Sequence, residues 1–353
     1  MLQWRVRCVL VFILVFGALL SACSTPRAKK VCAVLDTGGE NDKNFNQFTL
    51  EGARKAALEA GLPFDHIVTS SDEDYLPYIN NFIDDGCGLI ITVGFLMRDA
   101  TAIAAIDNPD VRFAIIDAEY FPGDVFVPGQ YFCPETIESC YSEEGGLANV
   151  TGLVFAEDQV GYLAGTLAGC MTETGIIGSV AGMEIPPVVR FVAGYQSGAR
   201  AFRPDIETLS YYAPAFNDAY TGKQEGDKQV AAGADVIFGV GGNTGNGGLL
   251  AANDAGLMTI GVDVDQYDIF PEVRPSLITS AAKKMNIAAA EAVQAYAAGT
   301  LEGGTQRSTV ANGGVGLAPY HDWENKISGE CKLAVAQATE DLANGTIEVE
   351  MPK

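Results

Sequence analysis

The chain has few of the residues on which catalysis and nucleic-acid binding depend. Its 353 residues include 2 histidines and 22 lysines and arginines, against 45 aspartates and glutamates. The formal net charge of −23 repels nucleic acids and anionic headgroups, so we expect no DNA or RNA partner. Two histidines leave little choice for a Ser-His-Asp triad, and no GxSxG motif is present.

The sequence also lacks the usual motifs for metals and nucleotide phosphates. It has no CxxC pair, and DVDQYDIFPE, which starts like a calcium loop, has Asp268 where glycine is needed. The stretch FGVGGNTGNGG lacks the Gly-Lys-Ser/Thr end of a P-loop and contains no GxGxxG window. We expect this stretch to form a tight turn that brings the backbone close to a small group. We expect no metal and no cofactor.

A long apolar run occurs only near the start of the chain. MLQWRVR is followed by CVLVFILVFGALL and then by Leu20-Ser21-Ala22-Cys23, which together have the outline of a signal peptide. Leu-Ser-Ala-Cys resembles the lipobox of bacterial lipoproteins, in which cleavage leaves a lipid-bearing cysteine at the new N-terminus. We predict a signal peptide over residues 1–22, lipid on Cys23 and a polar tether over 23–30. The alternative is an ordinary signal peptide with a chance cysteine.

The rest of the chain has no apolar stretch long enough to cross a bilayer, so we expect a body anchored outside the cytoplasm. The cysteines beyond Cys23 are Cys32, Cys87, Cys133, Cys140, Cys170 and Cys331. An even number in an exported protein permits disulfides. Cys133 and Cys140 flank the short segment CPETIESC, and we expect a bridge between them.

Short aliphatic runs alternate with helical patterns along this body. One series runs from VCAVLD through HIVTS and GLIITVG to RFAIIDA, and a second runs from TGIIGSVA through LSYYA and DVIFGVGG to LMTIGVD. Such βαβα order with strongly aliphatic strands is typical of parallel sheets covered on both faces. We therefore expect two similar α/β lobes, with the chain passing between them more than once.

Polar or small residues follow these strands. They are Asp36 after VCAVL, Asp117 after RFAII, Gly241 and Gly242 after DVIFGV, and Asp263 and Asp265 after LMTIGV. In open α/β sheets, ligands bind beyond the carboxyl ends of the strands. We expect these residues to line a binding cleft, and the sequence leaves open which of Asp263 and Asp265 contacts the ligand.

Several stretches resemble one known family in their order and spacing. They are DTGGENDKNFNQFTLEGA, FAIID, GYLAGTLAG, GMEIPPVVRFVAGYQSGAR, APAFNDAYTGK, GVDVDQ and TSAAKK. Together they resemble the basic membrane protein family of lipoproteins, which includes purine-nucleoside-binding receptors of ABC importers. The resemblance implies a type I periplasmic-binding-protein fold, α/β, with two doubly wound parallel-sheet lobes joined by three crossovers. It implies an N-terminal lobe of 31–154 plus about 279–305 and a C-terminal lobe of 155–278 plus about 306–353.

The resemblance also implies a set of ligand-site residues. They are Asp36, Phe45, Asn46, Asp117, Phe216, Gly242, Asp263 and Lys283. Phe45 and Phe216 would come from opposite lobes and stack on the two faces of a flat base, at about 1–3 kcal/mol each. The three carboxylates would accept hydrogen bonds from ribose hydroxyls or base N–H groups. Lys283 matches the family's ligand-site lysine, and Gly242 would allow close approach of the backbone.

These expectations describe a lipid-anchored, monomeric receptor that closes over a nucleoside and presents it to an ABC permease without covalent chemistry. Two alternatives stay open. Receptors of this fold commonly take sugars, so a monosaccharide or ribose-like signal molecule is a second candidate ligand. Asp36-Thr37 followed by Asp42 is similar to the calcium-binding aspartates of nucleoside hydrolases, although Gly38 stands where another ligand would be needed.

One segment, FPGDVFVPGQYFCPETIESCYSEEGG at residues 121–146, has no counterpart in the family pattern. It contains both Cys133 and Cys140. A cover over the mouth of the cleft is one role open to it, and such a cover would affect which ligand can enter.

Overall fold

The computed structural model describes residues 30–126 and 131–351. The segment expected to be a signal peptide, most of the tether and Cys23 lie outside these residues. Within the described ranges, no helix is both long enough and apolar enough to cross a membrane.

The first lobe is built on a six-stranded sheet. Its strands are β1 (Lys30–Leu35), β2 (Phe64–Val68), β3 (Cys87–Val93), β4 (Arg112–Ile116), β7 (Val150–Phe155) and β13 (Gly304–Ser308), with β5 (Val125–Phe126) and β6 (Tyr131–Phe132) forming a separate hairpin. The intervening helices are α1 (Phe45–Glu59), α2 (Tyr75–Asp84) and α3 (Arg98–Asp107). The sheet order is β13-β7-β4-β3-β1-β2, and every pair of neighbours is parallel.

The second lobe repeats this plan. Its strands are β8 (Ile176–Ala181), β9 (Glu207–Tyr212), β10 (Val236–Val240), β11 (Met258–Asp263), β12 (Leu277–Lys283) and β14 (Val315–Leu317). Its helices are α4 (Glu157–Met171), α5 (Pro186–Phe202), α6 (Ala219–Ala231), α7 (Gly242–Asp254), α8 (Gln266–Ile269) and α10 (Gly329–Ala343). The order β14-β12-β11-β10-β8-β9 matches the first sheet strand for strand, except that β14 is antiparallel to β12. A last helix, α9 (Met285–Ala298), packs against α1 of the first lobe.

The chain crosses between the lobes after β7, after β12 and after β13, which gives the three crossovers of the type I fold. The second crossing lies beyond Lys283 instead of near residue 279, because β12 completes its pairing with β11 in the second sheet. The third crossing lies beyond Ser308 instead of near 305, because β13 pairs with β7 along its whole length.

The glycine-rich stretch after β10 is helical, so the expected tight turn is wrong. Gly242 begins α7, and the following glycines lie inside the helix. A Cβ on Gly247 would overlap the carbonyl oxygen of Ala219, and one on Gly248 would lie 2.6 Å from the Val180 Cβ. These glycines therefore let α7 pack directly against α6 and the sheet.

Three disulfides lie in the described part of the chain. Cys32–Cys87 joins β1 to β3, Cys133–Cys140 lies in the 121–146 segment, and Cys170–Cys331 joins α4 to α10. The first two belong to the first lobe and the third to the second lobe.

Candidate functional site

A cavity lies between the lobes, at the carboxyl ends of strands from both sheets. Seven of the eight site residues expected from the sequence line it: Asp36, Phe45, Asp117, Phe216, Gly242, Asp263 and Lys283. The eighth, Asn46, contacts Asp36 from behind the wall. The structure thus brings together residues that are as far as 247 positions apart in the chain because both sheets end at the same gap.

Asp36 lies at the end of β1 and is held by its own loop. Its Oδ1 atom accepts hydrogen bonds from the Asn46 side-chain nitrogen at 2.6 Å and from the Gly38 amide at 2.9 Å. A Cβ on Gly38 would lie 2.9 Å from that nitrogen, so glycine leaves room for the pair. Burial raises the pKa of Asp36. The Asn46 side-chain oxygen is buried and has no hydrogen-bond partner among the residues that the structure describes.

The other acids of the DTGGENDKNFNQ loop have different roles. The Asp42 carboxylate accepts hydrogen bonds from the backbone amides of Asn44, Asn46 and Gln47 at 3.0, 2.9 and 3.2 Å. These are amides at the start of α1, which have no partners inside the helix. Asp42 therefore caps α1 and orients it, while Glu40 faces outward, 2.8 Å from the His66 ring.

Phe45 and Phe216 approach the cavity from opposite lobes, each beside a glycine at the end of an equivalent strand. Gly94 follows β3 with φ +119°, and a Cβ there would lie 3.7 Å from the Phe45 ring. Gly241 follows β10 with φ +94°, and a Cβ there would lie 3.0 Å from the Phe216 ring. Both glycines accommodate backbone that other residues rarely adopt, and Gly241 also leaves space for the Phe216 ring.

Gly242 lines the cavity at the first position of α7, with φ +58°. A Cβ there would lie 2.7 Å from the carbonyl oxygen of Phe216. In this structure, Gly242 therefore allows its own backbone to lie close to the backbone of Phe216.

The Lys283 ammonium group is surrounded by three carboxylates. Its nitrogen lies 2.7 Å from Asp117, 3.5 Å from Asp263 and 3.5 Å from Glu157. It also lies 5.0 Å from the centre of the Phe45 ring, a cation–π distance. Lys283 belongs to the second sheet and Asp117 to the first lobe, so their ion pair joins the lobes.

The structure distinguishes Asp263, which ends β11, from Asp265, which follows this strand. Asp263 is buried and lines the cavity. Asp265 points elsewhere, because its carboxylate accepts from the Tyr267 amide and lies 2.7 Å from the His321 ring. Of the two acids, Asp263 is therefore the one at the candidate site.

The buried carboxylates resist ionisation in this cleft. Burial raises the pKa of Asp263 to about 6, although Lys283 lowers it. Burial raises the pKa of Glu157 to about 7, again opposed by Lys283. Burial alone would lower the pKa of Lys283, but the surrounding carboxylates raise it overall. The lysine therefore stays charged while at least part of its acidic shell titrates near neutrality.

Glu157 and Arg190 were not predicted from the sequence. Glu157 is the first residue of α4 and is fully buried, and its Oε2 atom accepts from Arg190 Nε at 2.7 Å. The rule that polar residues follow strands would have found Glu157, which comes two residues after β7. However, Glu157 stands in the first turn of a helix that begins Glu-Asp-Gln, where an acidic residue is usually interpreted as a helix cap.

The described residues of the 121–146 segment lie beside the cavity. None of its described residues lines the main cavity, although Phe121 lines an adjoining space between the lobes together with Asp117 and Arg190. Its hairpin leaves Val125 and Phe132 exposed, and Cys133 is bonded to Cys140.

Comparison with known proteins identifies the family. Residues 29–350 match the family model described as Bmp: ABC transporter substrate-binding protein PnrA-like. The ABC transporter nucleoside-binding protein BmpA of Lactococcus lactis subsp. cremoris is 30% identical over 339 residues, covering 91% of this chain and 88% of that protein. Basic membrane protein D of Borreliella burgdorferi is 28% identical over 349 residues, covering 98% and 94%.

Solved structures share the fold. A solute-binding protein of an ABC transporter system from Aeropyrum pernix K1 has a TM-score of 0.79 at 24% identity, covering 92% of this chain and 94% of that chain. A 5-methylthioribose transporter solute-binding protein from Thermotoga lettingae has a TM-score of 0.60 at 15% identity, covering 91% and 95%.

Substrate-binding proteins of ABC transporters hold a small molecule outside the cytoplasm and present it to a membrane permease. They are not enzymes, and this excludes the nucleoside-hydrolase alternative. The match over residues 29–350, the 30% identity to a relative over most of both chains, and the two-lobed fold agree. The chain belongs to the Bmp family of PnrA-like ABC transporter substrate-binding proteins.

Proposed function

We propose that this protein captures a purine nucleoside between its lobes and delivers it to an ABC-type permease, while lipid on Cys23 tethers it to the membrane. The observation that carries the proposal is the pair of rings. Phe45 and Phe216 line one cavity from opposite lobes, and each ring lies beside a glycine at a strand end. A flat base between them would gain stacking on both faces only when the lobes are closed.

The polar groups of the cavity suit the remainder of a nucleoside. Four carboxylates line it, and the side chain of Lys283 is the one basic group among its lining residues. A set so rich in acceptors favours a neutral ligand with several O–H and N–H donors over one that carries phosphate. One carboxylate oxygen of Asp117 is buried and has no hydrogen-bond partner within residues 30–126 and 131–351, so it is available to such a donor.

The base end of the ligand would meet Asp36. The Asn46 side chain donates to the Asp36 Oδ1 atom at 2.6 Å from behind the cavity wall, so this carboxylate has a defined position. A site of this kind rejects analogues that leave a buried acceptor unpaired. This is the physical basis on which we expect nucleosides to be discriminated from free sugars.

A ribose-like ligand is the second candidate, because the shell of carboxylates around Lys283 would also suit sugar hydroxyls. Such a ligand would leave Phe45 and Phe216 without a base to stack on. The two candidates therefore differ in how strongly binding depends on the rings.

Ligand released from the purified protein and identified by mass spectrometry tests the proposal most directly. Calorimetric titration with guanosine, inosine, adenosine and ribose then gives the order of affinities. We expect a nucleoside to co-purify and nucleosides to bind far more tightly than ribose. A parent protein that prefers free ribose would support the sugar-receptor alternative instead.

A further inference from the structure

Three charged side chains connect the adjoining space between the lobes, which Arg190 lines, to the main cavity, which Lys283 lines. Arg190, on α5, donates from Nε to Glu157 Oε2 at 2.7 Å. The other oxygen of Glu157 lies 3.5 Å from the Lys283 ammonium nitrogen. Glu157 is fully buried, and unlike Asp117 and Asp263 it does not line the cavity. It therefore contacts the lysine from behind, on the side away from the cleft.

The three carboxylates match the three N–H groups that an ammonium carries. Asp117 and Asp263 lie on the cavity side, and Glu157 supplies the third direction. An ammonium with one of its three directions unfilled can rotate or move toward either remaining carboxylate. With all three filled, it has one orientation.

The position of Glu157 in the fold adds to its effect. It begins α4 directly after the first crossover, and Lys283 ends β12 directly before the second. Asp117, the nearest partner of Lys283, comes from the other lobe. The contact between Glu157 and Lys283 thus lies beside two of the three segments about which the lobes must turn.

We propose that Glu157, anchored by Arg190, is a positioning residue that fixes the Lys283 ammonium group toward the cleft and toward Asp117 of the opposite lobe. The inference rests on the proposed function insofar as the ligand is a nucleoside. The positioning itself can be measured without any ligand.

The effect of substituting Glu157 on ligand affinity should depend on pH, because the groups that face Glu157 are charged. Lys283 and Arg190 approach its two oxygens, Asp117 lies across Lys283, and Asp263 shares that lysine. Asp158, the next residue of α4, acts on Arg190. Burial raises the pKa of Glu157 to about 7, so the contact should weaken as pH falls through neutrality.

The test compares Glu157→Gln with Glu173→Gln, which removes the same charge from an exposed position just beyond the other end of the same helix. The first measurement is the NMR signal of the Lys283 ammonium protons at pH 8, assigned by its loss in Lys283→Arg. We expect a resolved, slowly exchanging signal in the parent and in Glu173→Gln. In Glu157→Gln the signal should broaden or disappear, while the melting curve still shows a folded protein.

The second measurement is the affinity for guanosine and inosine between pH 8 and pH 6. We expect Glu157→Gln to bind about tenfold more weakly at pH 8, the scale of one hydrogen bond to a charged group, and to lose the pH dependence near 7. Glu173→Gln should match the parent. Unchanged ammonium signal and affinity in Glu157→Gln would overturn the inference. Failure of the parent to bind either nucleoside would count against the proposed function alone, because the ammonium signal would still report on positioning.

Discussion

Asp117 and Asp263 occupy equivalent positions in the two lobes and share one backbone conformation, with φ +66° in each. The first follows β4 and the second ends β11, and these strands correspond in the two sheets. The left-handed region is uncommon for residues other than glycine, and aspartate and asparagine tolerate it best. The repeated conformation directs both carboxylates at one ammonium group, that of Lys283. A single lysine thus contacts the same structural position of both lobes.

Removal of either ring should weaken nucleoside binding. We expect Phe45→Ala and Phe216→Ala each to cost about 1–3 kcal/mol, roughly ten- to a hundredfold in affinity, because each removes one stacked face. Calorimetry with guanosine and inosine measures the change. Phe132→Ala, which removes an exposed ring from the hairpin of the same lobe as Phe45, is the matched control and should bind like the parent. A folded Phe216→Ala that kept full affinity would show that the second ring does not touch the base.

The ligand-free protein should lose stability as pH rises from about 4 to 7. Burial raises the pKa values of Asp42 and Asp263 to about 6 and that of Glu157 to about 7. Each group binds its proton more tightly when folded than when unfolded, so its contribution is largest at low pH and is lost as pH rises through the folded value. For Asp263, raised from 3.8 to about 6, the change is at most about 3 kcal/mol.

Calorimetric melting at pH 5.0 and 7.5 checks this dependence on pH. Asp263→Asn should reduce the difference between the two melting temperatures, since it removes one of the titrating groups and asparagine also tolerates positive φ. A melting temperature that rises steadily over this interval would contradict the prediction.

Lys43 should slow the release of ligand. It lies in the first lobe, 3.8 Å from Glu272 of the second lobe and 5.2 Å from the centre of the Phe270 ring. The side chains of Lys43 and Glu272 are both partly exposed, so their ion pair is weak. We therefore expect Lys43→Gln to speed dissociation of the ligand about two- to fivefold. Stopped-flow fluorescence measures the rate. Lys55→Gln, which breaks an ion pair with Glu59 within α1 and touches no other lobe, should leave the rate unchanged.

If Cys23 carries lipid, its substitution should block cleavage of the signal peptide. Cys23→Ser should accumulate as an unprocessed precursor, while the parent should partition into detergent, since each buried CH₂ of a lipid chain contributes about 0.8 kcal/mol. Immunoblotting of whole cells and phase partitioning measure both outcomes. Cys8→Ser, within the expected signal peptide, is the control. Normal processing of Cys23→Ser would contradict lipidation.

The fold and part of the site could be predicted from the sequence because both follow from strand order. In each parallel sheet the strands end at one edge, and this places Asp36, Asp117 and Asp263 at the cleft. Alternating apolar runs identify the strands that these residues follow or end. The partners of Lys283 could not be predicted in the same way. Its contact with Asp117 joins residues 166 positions apart, and the arrangement depends on how the two lobes close.

Glycine was harder to interpret. Its composition alone favours a turn after β10, whereas in the structure Gly247 and Gly248 lie within α7 and permit close packing. A glycine at an interhelical contact and a glycine in a turn look alike in a sequence, because both reflect a missing side chain. Only the neighbouring element shows which applies.

The placement of the disulfides has a mechanical consequence. In the described residues, Cys32–Cys87 and Cys133–Cys140 lie within the first lobe and Cys170–Cys331 lies within the second. Each lobe is covalently cross-linked as a separate unit, and no cross-link spans the gap between them in these ranges. An oxidising environment can therefore stiffen both halves of the receptor without restricting the rotation by which they open and release their cargo.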